Sequence, residues 1–430
     1  MERGEKAMTN LMPSPGAADW KSGSPHEALA PEFHRDVRDG EPVLRIQATG
    51  APNAYGKWTC KAAGVRGGMS YAIEADYLAT GVDAGAADVY ALLTWSDAAD
   101  APITRDYVDQ TSVLEDGWVG LRRTMRAPEG AAFVEVELAF RWSAGGSVAW
   151  RRPVVAETAQ PRTRKVRVAT TLINKFTGDR ADNLADMGAV LEEAGARRAD
   201  IVCLSEGVYE QGVGGRGYGR FGEPIPGAFT DFLASYARKH RYYVIASLFE
   251  TEGGVLYNTA VLIDRDGGIA GKYRKTHLPL FEAEMGVTPG SEYPVFDTDF
   301  GRIGIMICWD SYFPEVARLL ALQGAELLFV PTQGNARIQS LARAADNGIH
   351  VVVAGMWEEK PSRIVDPQGQ VIAELSEEAR GVAVAEIDLD RRYYKYWLSV
   401  GDADGEARSL FRRERRPDTY GGLLGRDPRE

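Results

Sequence analysis

Cysteine and histidine are scarce in this chain. Its 430 residues include three cysteines and five histidines. Cys60, Cys203 and Cys308 are widely spaced and odd in number, so they provide neither a disulfide framework nor a Cys-x-x-Cys metal pair. The histidines show no His-Glu-x-x-His or similar ligand spacing. The sequence therefore predicts no metal and no cofactor, and free thiols are typical of a cytoplasmic protein.

Long apolar runs and a positive net charge are also missing. No stretch reaches the roughly 18 apolar residues that a transmembrane helix needs. Residues 1–24 are rich in Gly, Pro, Ala and Ser and lack the apolar segment of a signal peptide, so we predict a flexible leader there. The formal net charge of −11 argues against nucleic acid or an anionic membrane as a partner.

The first long segment, residues 25–158, has the pattern of strands. Apolar residues alternate with polar ones over 44–48, 71–77 and 134–140, and Gly- and Asp-rich turns separate these stretches. A period of two is typical of antiparallel strands with one face in water. We therefore predict an all-β sandwich domain.

Tryptophans are concentrated in this predicted domain: Trp58, Trp95, Trp118, Trp142 and Trp150. Such residues either fill a sandwich core or form a surface platform on which sugar rings stack. A carbohydrate- or partner-binding role for the domain therefore stays open.

The pattern changes after a polar, basic stretch with one proline, residues 159–165, which we predict to be a linker. Over 166–390, short apolar strands alternate with amphipathic helices, which indicates an α/β domain. The extension 391–430 is aromatic and basic, and we predict that it docks on a partner subunit of a homodimer or higher homo-oligomer.

Six glycines lie between Gly212 and Gly222. They do not follow the Gly-x-x-x-x-Gly-Lys-Ser/Thr order of a phosphate-binding loop. The segment is interpreted as a mobile loop beside a site. Together with 333–337, it is expected to shape the substrate pocket.

Cys308 stands between a predicted strand and a predicted helix. The apolar run Ile303–Ile307 precedes it, and Pro314 opens a stretch with helical periodicity. The carboxyl end of a strand in an α/β sheet is where reactive side chains reach a cleft. A cysteine there is either a core residue or a nucleophile, because free cysteine is among the most buried residue types.

Two more polar residues follow apolar strands. Glu206 comes after Ile201–Ser205, and Lys275 lies in Tyr-Arg-Lys-Thr-His. Each also has an ordinary explanation, as a loop cap or as part of a solvated basic cluster. A carboxylate can take a thiol proton, and an ammonium can stabilise an oxyanion. Cysteine, glutamate and lysine together therefore suffice for acyl transfer.

These residues carry a resemblance to the nitrilase, or carbon-nitrogen hydrolase, superfamily. Three motifs resemble those of the family, in the same order and at suitable spacing: Leu-Ser-Glu206, Tyr-Arg-Lys275-Thr-His-Leu and Ile-Cys308-Trp-Asp-x-x-x-Pro-Glu315. Tyr257-Asn-Thr and Asp366-Pro-Gln-Gly369 also match. The similarity covers about 166–389, so residues 25–158 inherit no role from it.

The resemblance implies a four-layer αββα sandwich and assigns roles to single residues. Cys308 would be the nucleophile and Glu206 the general base, while Lys275 and the backbone N–H of Trp309 would bind the oxyanion. A second catalytic glutamate would match Glu284, with Glu282 as the alternative. Ser205 departs from the family, because many members have proline there.

The predicted function is hydrolysis of a non-peptide carbon-nitrogen bond in a small-molecule amide or carbamoyl compound. Cys-Trp-Asp resembles amidase branches more than the Cys-Trp-Glu of true nitrilases. Nitrile hydrolysis remains an alternative. So does a catalytically inactive binding protein that uses the β-sandwich.

Overall fold

A computed structural model of the chain describes residues 9–83, 88–161, 163–213, 222–334, 336–357, 361–375 and 380–425. They form two compact units. One combines the N-terminal part of the chain with everything from Tyr394 onward, and the other is Thr163–Tyr393. The boundary between the two units near Thr163 therefore lies within residues 159–165, which were predicted to be a linker.

The first unit is built from antiparallel strands. In chain order they are β1 (Lys21–Gly23), β2 (Glu32–Arg38), β3 (Glu41–Gln47), β4 (Tyr55–Ala63), β5 (Ser70–Thr80), β6 (Asp88–Ser96), β7 (Pro102–Tyr107), β8 (Gln110–Val113), β9 (Val119–Arg126), β10 (Phe133–Arg141) and β11 (Ser147–Thr158). A 3₁₀ turn lies at Glu27–Leu29. Among the described residues, β1-β4-β10-β6-β7 belong to one sheet and β2-β3-β11-β5-β9-β8 to another.

The two sheets share one apolar core. Leu44 and Tyr71 from one sheet pack in the same cluster as Trp95 and Val134 from the other. Alternation places every second side chain of a strand on this inner face, which is why the period of two was visible in the sequence.

The tryptophans of this unit belong mainly to its interior. Trp58, Trp95, Trp118 and Trp150 are at most 3% exposed, so these four form no surface platform for a sugar. Trp142 is half-buried, with the guanidinium of Arg141 3.9 Å from its ring centroid. Of the two roles considered for these tryptophans, the four buried rings therefore have that of filling the core.

The structure differs from the prediction of a flexible leader over 1–24. Met12 and Trp20 are buried in the apolar core of the first unit, and Lys21–Gly23 pairs with β4. The Trp20 indole N–H donates to the carbonyl of Pro13 at 3.2 Å. Two large apolar side chains bury enough surface to order a segment whose overall composition is polar. Residues 1–8 of the predicted leader lie outside the described residues.

The second unit alternates strands and helices. In chain order they are β12 (Lys165–Ile173), α1 (Arg180–Ala196), β13 (Ile201–Cys203), α2 (Ala228–His240), β14 (Tyr243–Glu252), β15 (Val255–Ile263), β16 (Ile269–Arg274), α3 (Leu280–Glu284), β17 (Val295–Asp297), β18 (Arg302–Ile305), α4 (Pro314–Leu322), β19 (Leu327–Pro331), α5 (Arg337–Asn347), β20 (His350–Ala354), β21 (Arg363–Val365), β22 (Val371–Glu374) and β23 (Arg380–Asp388). A 3₁₀ turn, Cys308–Tyr312, separates β18 from α4.

Two sheets organise this unit. Over the described ranges, one has the order β16-β15-β14-β13-β12-β23 and the other β17-β18-β19-β20-β21-β22. Their facing sides share one core, which includes Ile201, Ile245, Ile303 and Phe329. Helices α1 and α2 pack in a second core with the first sheet, and α4 and α5 pack in a third with the other.

The direction of the strands places the site. In the first sheet β13 and β14 are parallel, while β15 is antiparallel to both β14 and β16. Strands β13 and β16 therefore run in the same direction, and their carboxyl ends lie on the same side of the sheet. In the other sheet β18 and β19 are parallel, so residues after Ile305 and after Pro331 also share an edge.

The C-terminal extension completes the first unit. It contains β24 (Tyr394–Tyr396), β25 (Asp404–Glu406), α6 (Ala407–Arg413) and 3₁₀ turns at Leu398–Val400 and Pro417–Leu423. Strand β25 pairs with β7. The buried carboxylate of Asp106 on β7 accepts a hydrogen bond from the Tyr394 hydroxyl at 3.0 Å, and Leu410 is buried beside Tyr107.

The structure packs part of the extension on its own chain, and docking of the extension on a partner subunit stays a prediction. Val400 and Leu410 are buried against the first unit of the same chain, whereas Leu398, Leu423 and Leu424 are exposed. Sequence composition shows that an aromatic segment needs a partner surface, but it does not show which chain supplies that surface.

Within the described part of the chain, none of the helices has both the length and the apolar character needed to cross a membrane. The glycine-rich loop that was predicted beside the site falls mostly in 214–221, and Asn335 of the second predicted pocket loop is also outside the described residues.

Candidate active site

The predicted Glu206 and Lys275 meet at the strand edge described above. Glu206 follows β13, and Lys275 directly follows β16. The Lys275 Nζ atom lies 2.9 Å from Glu206 Oε1. Both side chains are buried, with Lys275 only 1% exposed. A buried ammonium needs anionic partners to offset its desolvation, and Glu206 is one of them.

The second carboxylate beside Lys275 is Glu282. Its Oε1 atom lies 2.8 Å from Lys275 Nζ, and its side chain is buried. The structure therefore corrects the preference for Glu284, which is exposed. Both residues lie on the one-turn helix α3, and side chains two residues apart on a helix point about 200° apart. Only one of them can face the lysine.

This difference predicts a contrast between two matched variants. We expect Glu282→Gln to lower kcat/KM by about 100-fold or more, because the change removes a charge held against the buried Lys275. Glu284→Gln, on the same helix but exposed, should keep kcat/KM within about twofold of the unmodified protein. Steady-state kinetics on purified variants measures both, and equal losses would contradict the placement.

Asn258 joins the two carboxylates. Its side-chain amide donates to Glu206 Oε1 at 2.9 Å and to Glu282 Oε1 at 3.3 Å. The backbone N–H of Gln333 donates to Glu206 Oε2 at 3.2 Å. These bonds fix the Glu206 carboxylate on both oxygens. The sequence signal for Asn258 was its place in Tyr257-Asn-Thr, a stretch that resembles the family, but this gave it no role in the site.

Cys308 opens the 3₁₀ turn after β18 and is half-buried, whereas Cys60 and Cys203 are buried. Its φ angle is +45°, in the left-handed region that residues with a Cβ rarely adopt. Strain of this kind is concentrated at functional sites and persists only where the surroundings enforce it. The sequence showed the turn but not this strained conformation.

Charge and burial act together on the Cys308 thiol. Burial and then the negative charge of Glu206 raise its pKa to about 12, while Lys275 and a hydrogen bond with the Thr332 side chain oppose this rise. At neutral pH the resting thiol is therefore protonated. A protonated thiol needs a base in order to act as a nucleophile, and the charge that acts most strongly on Cys308 belongs to Glu206.

The lysine keeps its charge despite burial. Burial alone would lower the pKa of Lys275, but Glu206, Cys308 and Glu282 outweigh this effect and raise it above its ordinary value. Burial also raises the pKa of Glu282, against the lowering effect of Lys275. The ammonium is thus available as a permanent positive charge inside the site.

Trp309, the predicted source of an oxyanion N–H, follows Cys308 in the turn. Its side chain is 38% exposed and its ring centroid lies 4.7 Å from that of Tyr312. The indole therefore faces the surface of the unit, and the backbone is the part of Trp309 that belongs to the Cys308 turn.

A further buried acid lies four residues after Glu206. Glu210 Oε1 accepts the backbone N–H of Phe249 at 3.0 Å, and its Oε2 atom has no hydrogen-bond partner among the described residues. Burial raises the pKa of Glu210 to about 8, with the Phe249 N–H opposing the rise. The carboxyl group is therefore protonated at neutral pH.

Glu210 makes the stability of the protein depend on pH. Its ordinary pKa is 4.5 and its folded-state pKa is about 8, so between these values only the unfolded chain ionises and stability falls as pH rises. The upper bound of this loss is about 5 kcal/mol. We expect Glu210→Gln to gain stability relative to the unmodified protein between pH 5 and 8, measured by urea unfolding. If the free energy of unfolding changed with pH by the same amount in both proteins, the prediction would be contradicted.

The chain matches known proteins over a large part of its length. The sequence model of the family described as Carbon-nitrogen hydrolase matches residues 166–394, more than half of the chain. Omega-amidase NIT2 from Homo sapiens is 31% identical over 236 residues, which cover 49% of this chain and 85% of that protein. N-carbamoylputrescine amidase from Arabidopsis thaliana is 31% identical over 303 residues, which cover 62% of this chain and 97% of that protein.

A solved structure shows the same similarity. A carbon-nitrogen hydrolase from Helicobacter pylori G27 superposes with a TM-score of 0.50 at 26% identity, covering 61% of this chain and 99% of the other. The family match includes Glu206, Lys275, Glu282 and Cys308. This chain belongs to the carbon-nitrogen hydrolase family.

Proposed function

We propose that the protein hydrolyses the carbon-nitrogen bond of a small amide or carbamoyl compound through a thioester on Cys308. The observation that carries the proposal is the buried cluster in which Lys275 bridges Glu206 and Glu282, next to the strained turn of Cys308. Together these residues provide a nucleophile, a base and a fixed positive charge.

The first half-reaction forms the thioester. Glu206 takes the proton from Cys308 Sγ as the sulfur attacks the carbonyl carbon, because the resting thiol is protonated. The carbonyl π electrons move to oxygen and give a tetrahedral oxyanion. When this intermediate collapses, the carbon-nitrogen bond breaks and the nitrogen leaves as ammonia or amine with the proton from Glu206.

The second half-reaction releases the acid. A water molecule gives a proton to Glu206 and attacks the thioester carbon, and the carbon-sulfur bond then breaks. The thiolate takes the proton back from Glu206. The net change is one amide and one water consumed and one acid and one amine formed, with Cys308 and Glu206 restored.

Lys275 and the backbone N–H of Trp309 are proposed to stabilise the oxyanion. Each such donor typically contributes about 3 to 4 kcal/mol to lowering the barrier. Glu282 is proposed to keep Lys275 charged and placed, because its carboxylate lies 2.8 Å from Lys275 Nζ.

Two relatives support the substrate class. One is called an omega-amidase and the other an N-carbamoylputrescine amidase, so amides and N-carbamoyl compounds are the first candidates. We further propose that the second unit is a four-layer αββα sandwich and the first an all-β sandwich domain. The separate cores of each unit support this arrangement.

Intact-mass spectrometry tests the proposed function. The full chain is incubated with short aliphatic amides, N-carbamoyl amines and nitriles, and ammonia release is measured in parallel. The expected result is ammonia from at least one amide or carbamoyl compound and an acyl adduct on Cys308. Turnover of nitriles alone would favour the nitrilase alternative, and neither ammonia nor adduct from any compound would favour an inactive binding protein.

A further inference from the structure

One buried carboxylate joins the cysteine segment to the lysine segment and is not used in the mechanism above. Asp310 lies two residues after Cys308 in the 3₁₀ turn and is fully buried. Its two oxygens accept hydrogen bonds from both segments. The residues that donate these hydrogen bonds come from two segments that are far apart in the sequence.

On the cysteine side, Asp310 closes the turn. Its Oδ2 atom accepts the backbone N–H of Ile307 at 2.9 Å, and its own N–H donates to the Ile307 carbonyl at 3.0 Å. These bonds enclose Cys308, whose φ angle is +45°. A strained residue keeps such a conformation only when neighbouring bonds hold it.

On the lysine side, Asp310 holds the residues around Lys275. The Tyr273 hydroxyl donates to Oδ2 at 2.7 Å, the Thr276 hydroxyl donates to Oδ1 at 3.1 Å, and the His277 backbone N–H donates to Oδ1 at 2.9 Å. The ring Nδ1 of His277 is also 3.0 Å from Oδ1. Lys275 therefore lies between residues that are bonded to one carboxylate.

We propose that Asp310 is a positioning residue that fixes Cys308 relative to Lys275. The inference rests on the proposed function, since it assigns Asp310 to the same site. Bonds to a carboxylate are shorter and stronger than bonds between neutral groups, so Asp310 can hold two segments in one arrangement. A displacement of about 1 Å between reacting groups costs about 100-fold in rate.

Glu250 provides a matched control. It is also a buried carboxylate of the second unit, and it accepts hydrogen bonds from Thr259 at 2.7 Å and from Arg274 Nε at 2.9 Å. Its partners lie on β15 and β16 and not in the Cys308 turn. Loss of either carboxylate should lower stability, but only loss of Asp310 should disturb Cys308.

The test measures alkylation of Cys308 by iodoacetamide, with thermal unfolding of each variant recorded in parallel. Peptide mass mapping gives the second-order rate constant at Cys308 for the unmodified protein, Asp310→Asn and Glu250→Gln. We expect a fall of about 10-fold or more in Asp310→Asn. Glu250→Gln should stay within about twofold despite a comparable loss of stability.

Equal rate constants in all three proteins, or equal losses in both variants, would overturn the proposal. If Asp310→Asn does not yield folded protein, the same measurement is made on Tyr273→Phe. This variant removes only one of the hydrogen bonds to Asp310 and keeps the carboxylate. The expected result is a rate constant about threefold lower, and an unchanged one would overturn the proposal. Alkylation needs no substrate, so a failure of the proposed function is seen separately, as a lack of ammonia from the amide panel.

Discussion

Cys308→Ala is expected to lower kcat/KM by at least about 10⁴-fold, because no other group can take over covalent attack at this position. The sulfur forms the thioester in the proposed mechanism, and alanine removes it with little change in volume. The acyl adduct detected by intact-mass spectrometry should disappear in the same variant. Turnover and adduct formation are measured on the same preparation.

The other two cysteines serve as controls. Cys60 and Cys203 are buried within hydrophobic cores, and burial raises the pKa of Cys60 to about 11. Cys60→Ala and Cys203→Ala should each cost stability through the cavity they leave but keep most of the activity. An equal loss of activity in Cys203→Ala, measured on folded protein, would remove the case for Cys308 as the sole nucleophile.

Lys275→Met is expected to damage both stability and activity. Lys275 Nζ lies 2.9 Å from Glu206 and 2.8 Å from Glu282, so its loss leaves two buried carboxylates without their shared cation. Breaking a buried ion pair in this way costs about 3 to 5 kcal/mol in the free energy of unfolding. If Lys275 is the proposed oxyanion donor, its loss should lower kcat by about 100- to 1,000-fold.

The stability loss should depend on pH with a definite sign. Without the ammonium, like charge and burial raise the folded-state pKa of the carboxylate pair. A raised carboxyl pKa gives stability that is present at low pH and lost as pH rises through the folded-state value. The destabilisation of Lys275→Met, measured by urea unfolding, should therefore be smaller at pH 5 than at pH 7.

Lys165→Met is the matched control for this variant. Lys165 lies on β12 of the same unit, pairs with Glu386 at 3.0 Å, and its side chain is 60% exposed. Exposed ion pairs contribute little to the free energy of unfolding, so stability should change little and activity should be kept. If Lys275→Met matched Lys165→Met in both measurements, the buried cluster would have no special role.

Much of the fold could be predicted because its signals are local. The period of two in β3, β5 and β10 follows from one buried face, and the apolar runs of β12, β13 and β18 follow from burial on both faces. Strand ends followed by polar residues identified Glu206, Lys275 and Cys308 as candidates. The structure brings Glu206 and Lys275 into direct contact.

The choice between Glu282 and Glu284 shows where local signals end. Helix α3 has five residues, which is too short for a periodic pattern to show which side is buried. Both glutamates have the same chemistry and lie close to the same motif. Only packing of the helix against Lys275 decides between them.

Long-range contacts explain the other differences. The ends of the chain, predicted as a leader and as an extension on another subunit, pack on the first unit through residues such as Trp20 and Leu410. Asp310 contacts residues more than 30 positions earlier in the chain. Composition shows that such residues need partners, but not which partners they find.

The sequence by itself indicated the alternation of strands and helices, the resemblance to the family and three candidate site residues, because strand burial and ordered motifs leave patterns in neighbouring positions. Only the tertiary structure decided which glutamate faces Lys275, how Cys308 is strained, and where the chain ends pack. Those features depend on residues that are distant in the chain and meet only after folding.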